Sequence, residues 1–170
     1  MRCSIRIAVF SVLLAAGASG CANEIGDSCS SNVECSPNGD RICDTAQRDG
    51  YCTIAGCGLR TCPEEAACIR FFPAAFLSHA CDPQTEDAID PALTPSNDCT
   101  PDEICLSSGY CAVFSLEHRF CMRTCEHDDD CRDGYECRQT GTSGAEVVKD
   151  PERSGSPPVV RFCAQRLQTR

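Results

Sequence analysis

Apolar residues in this chain come in bursts of a few, broken by glycine, proline and charged residues, with one exception at the amino terminus. There, Ile7 to Ala16 forms an uncharged, mostly apolar stretch (IAVFSVLLAA). It is shorter than the ~20 residues a membrane-spanning helix needs. Farther on, the most apolar segment is Phe71-Phe72-Pro73-Ala74-Ala75-Phe76-Leu77. Ile69-Arg70-Phe71-Phe72, Val147-Val148 and Val159-Val160-Arg161-Phe162 are β-prone runs. The last two flank a polar Gly/Ser/Pro-rich middle and predict a hairpin. Pro63-Glu64-Glu65-Ala66-Ala67 carries the proline and acids of a helix start, although strand fits the residues after it equally well. The pattern predicts little helix, several short two-stranded ribbons and much loop.

Arg2 and Arg6 before the apolar run, and Gly17-Ala18-Ser19-Gly20 after it, complete a secretory signal peptide over residues 1–20. Cys21 follows directly. It is either diacylated and becomes the new amino terminus, or it is a free thiol in a secreted soluble protein. Cysteine parity favours the lipid. Of 18 cysteines, Cys3 leaves with the signal. Lipid on Cys21 then leaves 16 to pair, whereas a thiol there leaves an orphan, which is unusual in an exported chain. Acyl chains contribute about 0.8 kcal/mol per buried CH₂, and two or more anchor stably.

In residues 21–170, Val, Ile, Leu and Phe make up 24 of 150 positions. A share below about 20% is normally too small to fold a chain. Cysteine supplies 17 of the same 150 positions, the mark of a disulfide scaffold. Cross-links replace the missing core, each contributing ~2–4 kcal/mol. The expected fold is therefore small and disulfide-rich, with short β-hairpins and loops in two cysteine-rich halves.

The sixteen cysteines divide by spacing into four tetrads. They are Cys29, Cys35, Cys43, Cys52; Cys57, Cys62, Cys68, Cys81; Cys99, Cys105, Cys111, Cys121; and Cys125, Cys131, Cys137, Cys163. The third and fourth share C-x5-C-x5-C. Connectivity does not follow from spacing. First-to-third and second-to-fourth pairing within each tetrad is the working expectation: Cys29–Cys43, Cys35–Cys52, Cys57–Cys68, Cys62–Cys81, Cys99–Cys111, Cys105–Cys121, Cys125–Cys137 and Cys131–Cys163. Residues 21–28 read as a tether, 29–81 as an N-terminal module, 82–98 as an acidic linker with three prolines, and 99–170 as a C-terminal module. Each of the three tyrosines follows a glycine near a cysteine, and RDGY occurs at both Arg48–Tyr51 and Arg132–Tyr135. Glycine permits the turn and the ring can cover a neighbouring disulfide. That reading makes the motif a packing device.

Charge narrows the function classes. The chain sums to −10; without the signal, 13 basic face 25 acidic side chains, near −12. So acidic a surface argues against nucleic acid as a partner. No Cys-x-x-Cys, G-x-S-x-G, H-E-x-x-H or phosphate loop occurs, and His79, His118 and His127 share no motif. Neither catalytic residues nor a cofactor or metal are expected. Asp128-Asp129-Asp130 could gather calcium but lacks EF-hand spacing, and a solvated acidic turn is the simpler reading. Phe71, Phe72, Phe76 and Leu77 are expected to form local core, with an exposed partner patch as the alternative.

The segments ASGC before and at position 21, GDSC-x5-C, and FC-x3-C-x5-C-x2-GYEC together resemble the cysteine-rich lipoproteins of myxobacteria and related soil bacteria. Ala18 departs from the leucine commonest in such a lipobox. Likeness to EGF-like domains is weaker, because their C-x-C is absent. The lipoprotein resemblance implies an outer-membrane or surface location and transfers no activity. The leading expectation is a non-enzymatic interaction module, held at the membrane by its lipid and meeting an unidentified protein or envelope partner. A protease inhibitor or decoy using Arg138–Arg161, or a passive envelope protein, are the alternatives.

Overall fold

The computed structural model describes residues 23–84, 99–149 and 158–166. Cys21 lies outside them. One helical turn, α1 (Asn32–Cys35), precedes ten short strands. These are β1 (Ile42–Cys43), β2 (Cys52–Thr53), β3 (Ala66–Phe71), β4 (Leu77–Ala80), β5 (Glu103–Cys105), β6 (Tyr110–Val113), β7 (His118–Arg123), β8 (Tyr135–Gln139), β9 (Ala145–Val147) and β10 (Arg161–Gln165). All pairings are antiparallel: β1 with β2, β8 with β10, β3 between β7 and β9, and β6 between β4 and β5. The fold is small, disulfide-rich and built of short strands.

Eight disulfides organise these ladders: Cys29–Cys43, Cys35–Cys52, Cys57–Cys68, Cys62–Cys121, Cys81–Cys105, Cys99–Cys111, Cys125–Cys137 and Cys131–Cys163. Grouped by which bonds abut, they make four units of one design. The units are 29/35/43/52, 57/62/68/121, 81/99/105/111 and 125/131/137/163. In each, the first cysteine bonds the third and the second bonds the fourth. In each, the third and fourth face each other across a ladder: Cys43 opposite Cys52, Cys68 opposite Cys121, Cys105 opposite Cys111, and Cys137 opposite Cys163. Two side-by-side bonds thus clamp two strands to the segment before them.

Two expected bonds, Cys62–Cys81 and Cys105–Cys121, are not made. Unit 81/99/105/111 is inserted between the third and fourth cysteines of unit 57/62/68/121. The cause is the pairing of β3 with β7, in which Ile69 lies opposite Phe120 and Cys68 opposite Cys121. That register delivers Cys121 to Cys62. Cys81, at the end of β4, is carried to β5 and Cys105 because both strands pair with β6.

The expected modules change accordingly. β3 belongs to the first half yet lies between β7 and β9 of the second, so the halves do not close separately. Residues 82–98 join two cysteines of one unit rather than two domains; only 82–84 are among the described residues. The tether is also shorter than expected. Ile25 is fully buried in the main core, Gly26 N–H donates to Cys52 O, and Arg123 pairs with Glu24. Residues 23–28 therefore belong to the folded body. Val147 pairs with β3, and β10 pairs with β8, so the predicted hairpin between these two runs does not form. The segment after Pro63 becomes strand from Ala66.

Among the described residues, two apolar cores form beside the buried cysteine cluster of Cys29, Cys35, Cys43 and Cys52. The main one gathers Ile25, Tyr51, Ile69, Met122, Tyr135 and Phe162. A smaller one, Phe72, Leu106 and Ala112, sits under the inserted unit. Phe71 and Phe72 point to different cores. Phe71 packs on Phe120 and Phe162 at 6.4 and 5.8 Å, whereas Phe72 is 3% exposed in the smaller core with half-buried Leu77 against it. Of the four candidate patch residues, Phe71, Phe72 and Leu77 are thus engaged in the interior; the Phe76 side chain lies outside the description. Gly144 lets the chain pass Phe72, since a Cβ there would stand 2.1 Å from Phe72 O at φ +73°.

Chain-entropy reasoning gives the Cys62–Cys121 bond, with a sequence separation of 59, the largest single contribution, about 4 kcal/mol before inner bonds shorten its loop. Digestion of non-reduced protein should yield a linked Cys62/Cys121 peptide and none joining Cys62 to Cys81. Replacing Cys62 and Cys121 together by alanine should cost more stability in urea titrations than replacing Cys29 and Cys43.

Candidate functional site

The two RDGY motifs, distant in sequence, meet in space. Tyr51 and Tyr135 are each 1% exposed and stack with ring centroids 5.5 Å apart. The Arg132 guanidinium lies 4.1 Å from the Tyr135 ring centre and 5.7 Å from that of Tyr51. It donates to Tyr135 Oη at 2.6 Å, to Arg48 O at 2.9 Å and to Gly50 O. Tyr135 Oη in turn donates to Arg48 O. Gly50 is obligatory: at φ +65°, a Cβ would stand 2.0 Å from Cys29 O. The Tyr51 hydroxyl accepts from Arg123 N–H at 3.0 Å and donates toward Cys163 O at 3.4 Å. Every polar group of the two rings is committed to backbone. This cluster ties the first unit to the fourth and is a structural joint, as the repeat suggested. Tyr110, in the inserted unit, is instead 47% exposed.

The acidic run is also committed. Asp130 Oδ2 accepts the Glu126 and His127 N–H groups, and Asp128 Oδ1 accepts that of Cys137. Those backbone donors hold the Asp130 carboxyl below its usual range. The run forms a single tight helical turn over Asp128–Asp130, which the Asp130 carboxylate caps while that of Asp128 holds β8 at Cys137.

A cleft of about 620 Å³ opens where the inserted unit meets β3 and β9. Its walls include Arg70, Ile104, Leu106, Ser107, Glu146 and Lys149. Arg70 and Glu146 are direct partners in the β3–β9 ladder, yet each is held from elsewhere. Glu146, 5% exposed, accepts Ser107 N–H at 2.9 Å through Oε1 and the Ser107 hydroxyl through Oε2. Arg70 Nη2 donates to Glu117 Oε2 at 2.7 Å, and its guanidinium lies 5.1 Å from the Phe72 ring centre. Arg70 Nε is buried with no hydrogen-bond partner. Glu117 also accepts from Arg119. Burial pushes the Glu117 carboxyl up, but the two guanidiniums outweigh it and the carboxyl ends below its usual range. The cleft is thus a fixed mixed-charge surface with apolar sides. It can recognise a ligand by shape and polar contacts without prior rearrangement.

Sequence reading singled out neither Arg70 nor Glu146. Arg70 lay inside a β-prone run and Glu146 just before one, and the pairing of these residues, 76 positions apart, is set by the β3–β9 register. No family model, curated protein or solved structure matches this chain. Among the described residues, no helix is long and apolar enough to cross a membrane.

Two outcomes check these arrangements. Replacing Glu117 with alanine leaves the Arg70 guanidinium without its counter-charge; the expected loss is about 3 kcal/mol in denaturant titrations, and an unchanged midpoint would contradict it. Burial pushes the Tyr51 phenol up to about 12. The fold favours the neutral ring, so its contribution is whole below the unfolded value of about 10 and is lost as pH rises toward 12. Ultraviolet titration of tyrosinate should show a late-ionising ring, with stability falling by about 2–3 kcal/mol across that window.

Proposed function

We propose that the protein is a lipid-anchored, non-enzymatic interaction module of a bacterial cell envelope, displaying the Arg70/Glu146 cleft to a partner. The observation that carries this reading is cysteine closure. All sixteen cysteines from Cys29 to Cys163 bond among themselves. Cys21 is then the one cysteine of the exported chain without a disulfide partner among them, which suits a thiol that carries lipid.

Because residue 23 is already part of the folded body, Cys21 lies at most two residues of chain from it, roughly 7 Å at ~3.3–3.6 Å each. The head rests against its membrane. Glu24 pairs with Arg123 at one end of β7, and the ladder runs from there to His118. Five steps of about 3.4 Å carry the far end roughly 17 Å along the strand. The cleft lies toward that far end, where Arg119 is the register partner of Arg70. Rigid presentation away from the anchor suits an encounter surface.

Commitment of Glu146 to Ser107 and of Arg70 to Glu117 supports binding over proton transfer. The protease-inhibitor alternative needs residues 138–161 as a displayed loop. Stitching of β9 to β3 draws part of that segment into the sheet and removes support from it.

Membrane fractionation is the direct test. Wild-type protein should sediment with envelopes and yield an acylated amino-terminal Cys21 peptide by mass spectrometry. The Cys21→Ser variant should appear in the soluble fraction with all eight disulfides closed. An unmodified Cys21 in the mature protein would refute the anchor. Cross-linking from Lys149 that captures no envelope component under oxidising conditions would refute the interaction role.

A further inference from the structure

The inserted unit carries a feature the other three lack among the described residues: an imidazole against a disulfide sulfur. His79 Nε2 lies 3.5 Å from Cys111 Sγ. The strands set this contact. β4 brings His79 alongside β6, and β5 brings Glu103 to the same face from the other side. The His79 nitrogen, a Glu103 oxygen and Cys111 Sγ lie within 4.8 Å of one another.

Glu103 is held ionised. It accepts Thr100 N–H at 3.0 Å, Thr100 Oγ1 at 2.9 Å and Ser78 Oγ at 2.8 Å. The Thr100 amide is the main reason its carboxyl stays below the usual range. Glu103 thus stands as a fixed carboxylate beside the His79 imidazole, on the face that carries Cys111 Sγ.

A second observation is independent of the histidine. The sulfurs of Cys81, Cys99 and Cys105 also lie within 4.8 Å of one another. The two bonds of the unit therefore touch, and one can exchange with the other. They differ in access: Cys81 and Cys105 are half-buried, with Cys81 leading into exposed Asp82–Gln84, while Cys99 and Cys111 are buried.

We propose that Cys81–Cys105 and Cys99–Cys111 form a thiol–disulfide exchange site that accepts an external dithiol and places the final leaving thiolate on Cys111. One thiolate of the dithiol attacks Cys81 Sγ. The Cys81–Cys105 bond breaks, a mixed disulfide forms at Cys81, and Cys105 leaves as thiolate. Cys105 attacks Cys99 Sγ and the Cys99–Cys111 bond breaks. Cys111 leaves as thiolate against His79 Nε2 and takes a proton from water through the imidazole. The second thiolate of the dithiol then attacks its own sulfur in the mixed disulfide and frees Cys81, which takes a proton from water. The dithiol has become a disulfide. The protein has gained thiols at Cys81 and Cys111 and holds a new Cys99–Cys105 bond. Leaving thiols depart faster as the thiolate is better stabilised, so contact with the His79 imidazole speeds the departure of Cys111.

The exchange reaches the cleft. Leu106 and Ser107 follow Cys105 directly, and Ser107 holds Glu146. Moving Cys105 from Cys81 to Cys99 re-aims that wall, so the redox state of this unit sets the shape of the cleft. None of this requires the lipid anchor, and failure of one proposal leaves the other standing.

The experiment is brief exposure of the oxidised protein to limiting dithiothreitol, followed by alkylation and non-reduced peptide mapping. The earliest two-thiol species should carry label at Cys81 and Cys111 and contain a Cys99–Cys105 linkage, with the other three units intact. His79→Gln, at an exposed position, should slow its appearance about tenfold while the other disulfides keep their rates. Glu103→Gln should slow it less. First labelling in another unit, labelling of Cys81 and Cys105 with Cys99–Cys111 still closed, or an unchanged rate in His79→Gln would each overturn the proposal.

Discussion

Two cysteines that face each other across an antiparallel ladder are near enough to bond, yet in this protein none of the four facing pairs does so. Each member bonds instead to a cysteine from an earlier segment, so every ladder is clamped twice from the same side. A strand pair of two to six residues has little stability by itself in water. The double clamp restricts the unfolded chain and lets such short ladders persist. It also brings sulfurs of neighbouring bonds within 4.8 Å in every unit. In the inserted unit, His79 Nε2 also lies 3.5 Å from one of these sulfurs, Cys111 Sγ.

Around the clamps, apolar burial is modest and specific. Ile25, Ile69 and Phe162 are sealed in one core, and Phe72 with Leu106 in another. Polar joints fill what apolar residues cannot. Arg132 ties the two RDGY turns together over their stacked tyrosines, and Arg70 with Glu117 braces β3 against the segment entering β7. The burial of these groups makes their pairing obligatory, because an unpaired charge there is costly. The long arginine stems also supply packing surface where larger apolar side chains are absent.

Nesting gives the molecule its two ends. The unit closed by Cys62–Cys121 spans the middle of the fold, and the unit inserted into it forms the far end with the cleft. The segment entering at residue 23 docks at the opposite end of β7, through Glu24 and Arg123. A cleft built between an insertion and its host sheet draws its residues from four separate stretches of chain, around Arg70, Gln84, Ser107 and Glu146. Their positions are fixed by register rather than by proximity in sequence.

Much of this was legible from the residues alone. Cysteine abundance with few large apolar residues specified a disulfide scaffold of short strands, because composition decides which force can hold a chain together. The recurring spacing marked cysteines in groups of four without fixing their pairing, and the paired RDGY motifs announced a shared turn, since local geometry travels with local sequence. Membership of the units was not legible. Closing a gap of 52 residues from Cys68 to Cys121 costs only about 1 kcal/mol more than closing the 12 residues to Cys81. Such a difference is smaller than the burial gained when Ile69 meets Phe120 across β3 and β7. Tertiary pairing therefore chose the long closure, and with it the partners of Cys62 and Cys81, the meeting of Arg70 with Glu146, and the approach of His79 to Cys111.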